Sequence, residues 1–218
     1  MRKYLIAAAA IGCIAAGGAS AATLQGTFWD APNDTGGGLP APGTFSTIDG
    51  AIAYATGNAA DATFTSTAID YGDAGTGWDI GTLSDFLNAD AGSISPAAAG
   101  DLYFQESVIK LTGTVKLDFG DMIDVTSDDG FRLIIDGSTF SEFTGLRAPG
   151  NTTSQTWTGA SGVYAATLWY FEGNETQAQL ISNLGDFAVD PVPVPAAGLL
   201  LLSGLGGIAA LRRRRKAA

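Results

Sequence analysis

Two adjacent carboxylates, Asp128 and Asp129, stand in the segment DVTSDDGFRLIIDGSTF, followed by a glycine and flanked by apolar stretches. Neighbouring carboxylates repel each other unless a cation or a proton compensates. Calcium suits such a pair, because it accepts about six to eight oxygens from carboxylates, carbonyls and water in a flexible geometry. The same residues also read as a solvated Asp-Asp-Gly hairpin turn between two strands, which would tolerate Asp129→Asn or gain from it, since Asn-Gly is a favoured hairpin turn. Both readings stay open at this level. The spacing is not that of an EF-hand loop, which needs acids at alternate positions and a closing Glu.

The remaining chemistry is narrow. The 218 residues include no His and one Cys, Cys13, inside the leading apolar run, so no catalytic triad, Cys-His pair or thiolate or imidazole metal site can form. A glycosidase needs two carboxylates at a set separation across a cleft. Glu106, Glu142, Glu172 and Glu175, with 18 Asp, are too numerous for any such pair to be informative, and no enzymatic activity is expected. Trp157 and Trp169 offer aromatic faces that could stack on the C–H face of a sugar, or pack on a sheet.

The elements that must position these groups are strands. In IKLTGTVKLDF, Ile109, Leu111, Val115, Leu117 and Phe119 alternate with polar residues, a period of two that predicts half-buried strand with a bend or bulge at Gly113. Further strands are expected at Leu24 to Trp29, Ala62 to Tyr71, Met122 to Ser127, Phe131 to Asp136, Ser154 to Trp157, Val163 to Glu172 and Ala178 to Ser182. Turn signals separate them at Asp129-Gly130, Asp136-Gly137, Ser161-Gly162 and Gly173-Asn174. The pattern predicts an all-β, antiparallel, jelly-roll-like β-sandwich over residues 22 to 189, with one short helix capped by Thr82. Lys110, Lys116 and Arg132 are expected to pair with acids on a solvent face.

Both ends differ from this middle. Residues 1 to 21 begin with Arg2 and Lys3, continue through an uncharged apolar run and close with Ala19-Ser20-Ala21, the form of a signal peptide cut after Ala21. Export machinery and signal peptidase are therefore the first expected partners. Residues 190 to 218 place Pro191, Pro193 and Pro195 before a charge-free run from Ala196 to Leu211, which Arg212, Arg213, Arg214 and Arg215 follow directly. That order predicts a short membrane helix with its basic cluster held on the cytoplasmic side. Between the ends, four basic residues face 22 acids, a net charge of −18 that argues against nucleic acid or anionic membrane as a partner of the domain.

The tail resembles the PEP-CTERM class of bacterial sorting signals, in the variant reading Val-Pro-Leu-Pro-Ala, here Val192-Pro193-Val194-Pro195-Ala196 with Val194 in place of Leu. The resemblance implies recognition by an exosortase and passage from an inner-membrane precursor to the cell surface or an extracellular matrix. Residues 127 to 137, SDDGFRLIIDG, followed by Gly162-Val163-Tyr164 and Leu168 to Glu172, resemble the protective-antigen-type β-sandwich found in bacterial toxins, glycosidases and yeast flocculins. In lectin members the paired Asp binds calcium, which ligates sugar hydroxyls together with an Asn. Carried over, Asp128 and Asp129 become calcium ligands, and Asn174 is a candidate for the Asn, ahead of Asn151. The expected function is a calcium-assisted, carbohydrate-binding adhesion role in an exopolysaccharide or biofilm setting. The alternative is a structural matrix protein with no specific ligand.

Overall fold

Apolar and polar residues alternate along most of the domain, and in the computed structural model these stretches pair as strands. Residues 22–31, 45–72, 77, 81–173 and 177–190 are described. In chain order the strands are β1 (Leu24–Asp30), β2 (Ala62–Ser66), β3 (Ile69–Tyr71), β4 (Ser107–Leu117), β5 (Met122–Asp128), β6 (Phe131–Ile135), β7 (Ser138–Phe143), β8 (Thr152–Thr156), β9 (Gly162–Glu172) and β10 (Gln179–Ser182). Helix α1 spans Ile48–Gly57 and α2 spans Leu83–Leu87.

The strands form one sheet in the order β2-β1-β4-β9-β6-β7 and a second in the order β3-β10-β5-β8. The pairings are antiparallel, as expected. The main core lies between the sheets, where Ile109, Leu111, Val115, Leu117, Val125, Leu133, Leu168, Tyr170 and Leu180 are buried. A second core covers the outer face of the larger sheet, where α1 lays Ile48, Ala51 and Ala55 over Trp29, Val108, Trp169 and Phe171. Thr47 caps α1 by accepting from the Gly50 N–H at 3.2 Å.

Several expectations need correction. Gly113 makes no bulge: it pairs in register with Ala166, and a Cβ there would come within 2.4 Å of Leu24 Cδ2, so the missing side chain serves the close approach of β1. The register shift in this sheet falls instead between Leu133 and Ile134. Phe119 lies beyond the end of β4 and is 73% exposed. The segment from Ala62 to Tyr71 divides into β2 and β3, which belong to different sheets. Helix α2 follows Thr82 as expected, with Thr82 and Asp85 bonded reciprocally. Arg132 pairs with Asp49 and Glu142, at 2.8 and 2.7 Å, whereas Lys110 lies over the Trp169 ring.

The two ends of the described domain leave from one place. Leu24 packs on Gly113, and the Val189 N–H donates to the Thr114 carbonyl at 2.8 Å. Glu172 opposes Ser107 at the other end of β4. At about 3.3 Å per residue, both exits lie about 20 Å from Glu172. Among the described residues no helix is long and apolar enough to cross a membrane. The signal peptide and sorting tail expected from the sequence lie outside the described residues.

Candidate functional site

Asp128 ends β5 in the smaller sheet, and Phe131 begins β6 in the larger one. Asp128-Asp129-Gly130 is therefore a crossing between sheets and not a hairpin turn. Nor is it solvated: Asp128 is 4% exposed and Asp129 is fully buried. The peptide bond joining them is cis. Gly130 permits the crossing, since a Cβ there would come within 2.4 Å of Phe171 Cε1 and 2.9 Å of the Phe143 carbonyl.

Strand β9 adds the third acid. Its inward-facing residues include Leu168 and Tyr170, and Glu172, two residues on, is 1% exposed. Asp128, Asp129 and Glu172 each place a carboxylate oxygen within 4.8 Å of the others. The Tyr170 hydroxyl donates to the Asp128 carbonyl and lies 3.2 Å from Glu172 Oε2. Asp129 is held from two sides: Oδ1 accepts the Arg147 N–H at 2.9 Å and Oδ2 accepts the Gly173 N–H at 3.0 Å.

Arg147 links this cluster to the loop between β7 and β8. Its guanidinium donates through Nε to the Ser127 carbonyl at 3.0 Å, through Nη2 to Ser127 Oγ at 2.8 Å and through Nη1 to Thr153 Oγ1 at 3.0 Å. It also lies over the rings of Phe143, at 4.6 Å, and Phe131, at 5.4 Å. When all three are ionised, three carboxylates against one guanidinium leave two negative charges in a buried space, and every ligand atom they offer is a hard oxygen. That set fits a divalent hard cation such as calcium.

The protonation state follows from the same geometry. Burial, the adjacent Asp129 carboxylate and a hydrogen bond shared with it push the Asp128 carboxyl up to about 7, against the pull of Arg147. Burial also raises Asp129, opposed by the N–H groups of Gly173 and Arg147. A carboxyl whose folded pKa is raised favours folding while protonated and loses that contribution as pH rises through the folded value. Without calcium, the native chain should therefore lose stability relative to Asp128→Asn between about pH 4 and pH 7. Melting temperatures of the two proteins in chelator across that range provide the check, and parallel curves would contradict the assignment.

Asn174 lies outside the described residues, directly after Gly173. Asn151 uses its amide to donate to the Ala148 carbonyl at 2.7 Å, which closes its own turn. Neither tryptophan is brought to the acids. Trp169 is 7% exposed on the outer face of the larger sheet, its ring 5.8 Å from that of Trp29. Trp157 follows β8 at the Met122 end of β5, packed on Phe140 and Tyr164. Six residues of β5 separate that end from Asp128, about 20 Å. Glu172 and Arg147 are the site residues that sequence reasoning passed over. The one signal for Arg147 was its isolation, as the only basic residue between Arg132 and the tail.

No family model matches the chain, and no curated protein shows detectable sequence similarity to it. Solved structures do show a likeness. The chain is similar to the PA14 sugar-binding domain from an RTX adhesin, with a TM-score of 0.60 and 25% identity over 79% of this chain and 100% of that one. It is also similar to the PA14 domain of an antifreeze protein, with a TM-score of 0.56 and 23% identity over 77% of this chain and 86% of that one. The fold is thus the two-sheet sandwich seen in PA14 domains.

Proposed function

We propose that this protein is an exported adhesin-like surface or matrix protein whose domain binds carbohydrate with the help of one calcium ion. The observation that carries the reading is the buried cluster of Asp128, Asp129 and Glu172 at one end of the sandwich. The sugar-binding role stated for the RTX adhesin domain, which this chain matches over that domain's full length, supports it. Asp128, Asp129 and Glu172 would hold the cation, and Asn174 remains a candidate fourth ligand. The bound ion would supply a centre that accepts sugar hydroxyls as ligands. The chain's own contribution is placement: two backbone N–H groups fix Asp129, Tyr170 fixes the turn at Asp128, and Arg147 ties the neighbouring loop to Ser127.

Display follows from the exits. Because both ends leave the domain about 20 Å from Glu172, a tail held in a membrane or on a surface leaves the acidic end facing outward. Sorting by an exosortase rests on the Val192-Pro193-Val194-Pro195-Ala196 motif and the basic residues Arg212 to Arg215. Deleting residues 190–218 should shift the protein from the surface fraction into the medium or periplasm. Identical fractionation of both forms would contradict the sorting role.

A non-binding structural role is favoured by one observation. Both Asp129 oxygens already accept backbone hydrogen bonds, so the cluster also closes loops on its own account. A glycan array probed with calcium and again with chelator separates the readings. Binding that calcium restores supports the lectin role, and no binding in either condition supports the structural one.

A further inference from the structure

Leu146 is 45% exposed, in the loop between β7 and β8, and it stands beside the acidic cluster. A Cβ built on Gly173 would lie 3.0 Å from Leu146 Cδ2. The Gly173 N–H is one of the two that bind Asp129, and the Arg147 N–H, on the residue after Leu146, is the other. Leu146 is thus at the rim of the cluster, with its neighbours on two segments gripping the same carboxylate.

Of the other large apolar side chains exposed among the described residues, Phe119, Met122 and Val163 sit at the opposite end of β4, β5 and β9, Ile181 is on the outer face of the smaller sheet, and Tyr103 lies in the segment before β4, bridged to Thr82. The loop holding Leu146 is fixed. Arg147 bonds to Ser127 and Thr153, and the Gly150 N–H donates to Gln179 Oε1 at 2.6 Å. A leucine on so well-anchored a loop is held out in solvent beside polar groups, an arrangement that matches a ligand with one polar and one apolar side. A pyranose ring has both: hydroxyls along its edge and a C–H face.

Resting on the carbohydrate-binding reading above, we propose that Leu146 is the apolar contact of the site. It packs against the C–H face of a pyranose whose hydroxyls point toward Asp128, Asp129 and Glu172. This gives the site a preference for sugars with an uninterrupted C–H face and takes the place that the tryptophans, Trp157 and Trp169, do not fill.

The test uses the full chain with Leu146→Asn, of similar size but polar, and Leu146→Phe, larger and apolar. Each is run on a glycan array in calcium, and the dissociation constant is measured for the glycan that the native chain binds best. The expected result is about tenfold weaker binding for Leu146→Asn and binding within about twofold of native, or tighter, for Leu146→Phe. The rise in melting temperature on adding calcium should be unchanged in both. Native affinity in Leu146→Asn would overturn the role of Leu146 and leave the carbohydrate-binding reading standing. Loss of the calcium response in Leu146→Asn would make the residue structural and overturn the proposal. A native chain that binds no glycan would overturn both.

Discussion

An Asp129→Asn variant is expected to melt about 4–8 °C below the native chain, whether or not calcium is present. Asp129 is fully buried, and its two carboxylate oxygens accept the N–H groups of Arg147 and Gly173. An asparagine keeps one acceptor and turns an NH2 donor toward the other N–H. One buried N–H is then left unpaired and faces a second donor, a cost of about 2 kcal/mol. Below about pH 7 relief of repulsion from Asp128 offsets only part of this, because burial and the neighbouring carboxylate push the Asp128 carboxyl up to about 7 and so keep it largely protonated. A solvated turn predicts the opposite sign, and thermal melting in chelator distinguishes the two. An unchanged or raised melting temperature would show that the N–H groups are satisfied by other means.

Asp128→Asn should behave differently. Among the described residues no backbone N–H donates to the Asp128 side chain, which shares a hydrogen bond with Asp129 and interacts through charge with Asp129 and Arg147. Without calcium the substitution is expected to become progressively more stabilising as pH rises from about 4 to 8, where the native carboxyl must be ionised beside Asp129. With calcium the native chain gains stability and the variant does not, because one lost carboxylate removes both a ligand and the charge balance. Asp128 therefore reports the metal, while Asp129 reports both the metal and the fold.

The difference between these two residues was not legible in the sequence, although the pair itself was. Asp-Asp-Gly between apolar stretches has the local signature of a hairpin turn. The neighbours β5 and β6 nevertheless join different sheets, a choice made by long-range packing and not by the turn residues. Glu172 reaches the pair only through the β9 pairings with β4 and β6, more than forty residues along the chain. Arg147 and Leu146 lie in a loop with no periodicity, so their placement exists only in tertiary contacts.

The same division holds for the fold. Strand β4 announces itself by alternation from Ile109 to Leu117, whereas β9, buried on both faces from Leu168 to Phe171, shows as a continuous apolar run. Strand β7, Ser138–Phe143, is an edge strand with half of its residues exposed and polar residues at most positions, and only its turn was visible, in Asp136-Gly137. Helix α1 buries Ile48, Ala51 and Ala55, and such small side chains leave a weak apolar stripe in a stretch rich in Gly, Ala and Thr. Trp169 shows the limit for single residues, since an aromatic on a strand reads alike whether its face meets a sugar or, as here, the second core beneath α1.

The central claim is that Asp128, Asp129 and Glu172 hold one calcium ion, and a calorimetric calcium titration at pH 7.5 and about 0.15 M salt tests it most directly. At that ionic strength diffuse attraction between the acidic surface and cations is largely screened, whereas a buried site is not. The native chain should saturate at one ion per molecule, and Asp128→Asn should show no saturable binding. Weak uptake that never saturates, that added salt removes and that is the same in both proteins would contradict the site and leave the acids as a diffuse counter-charge.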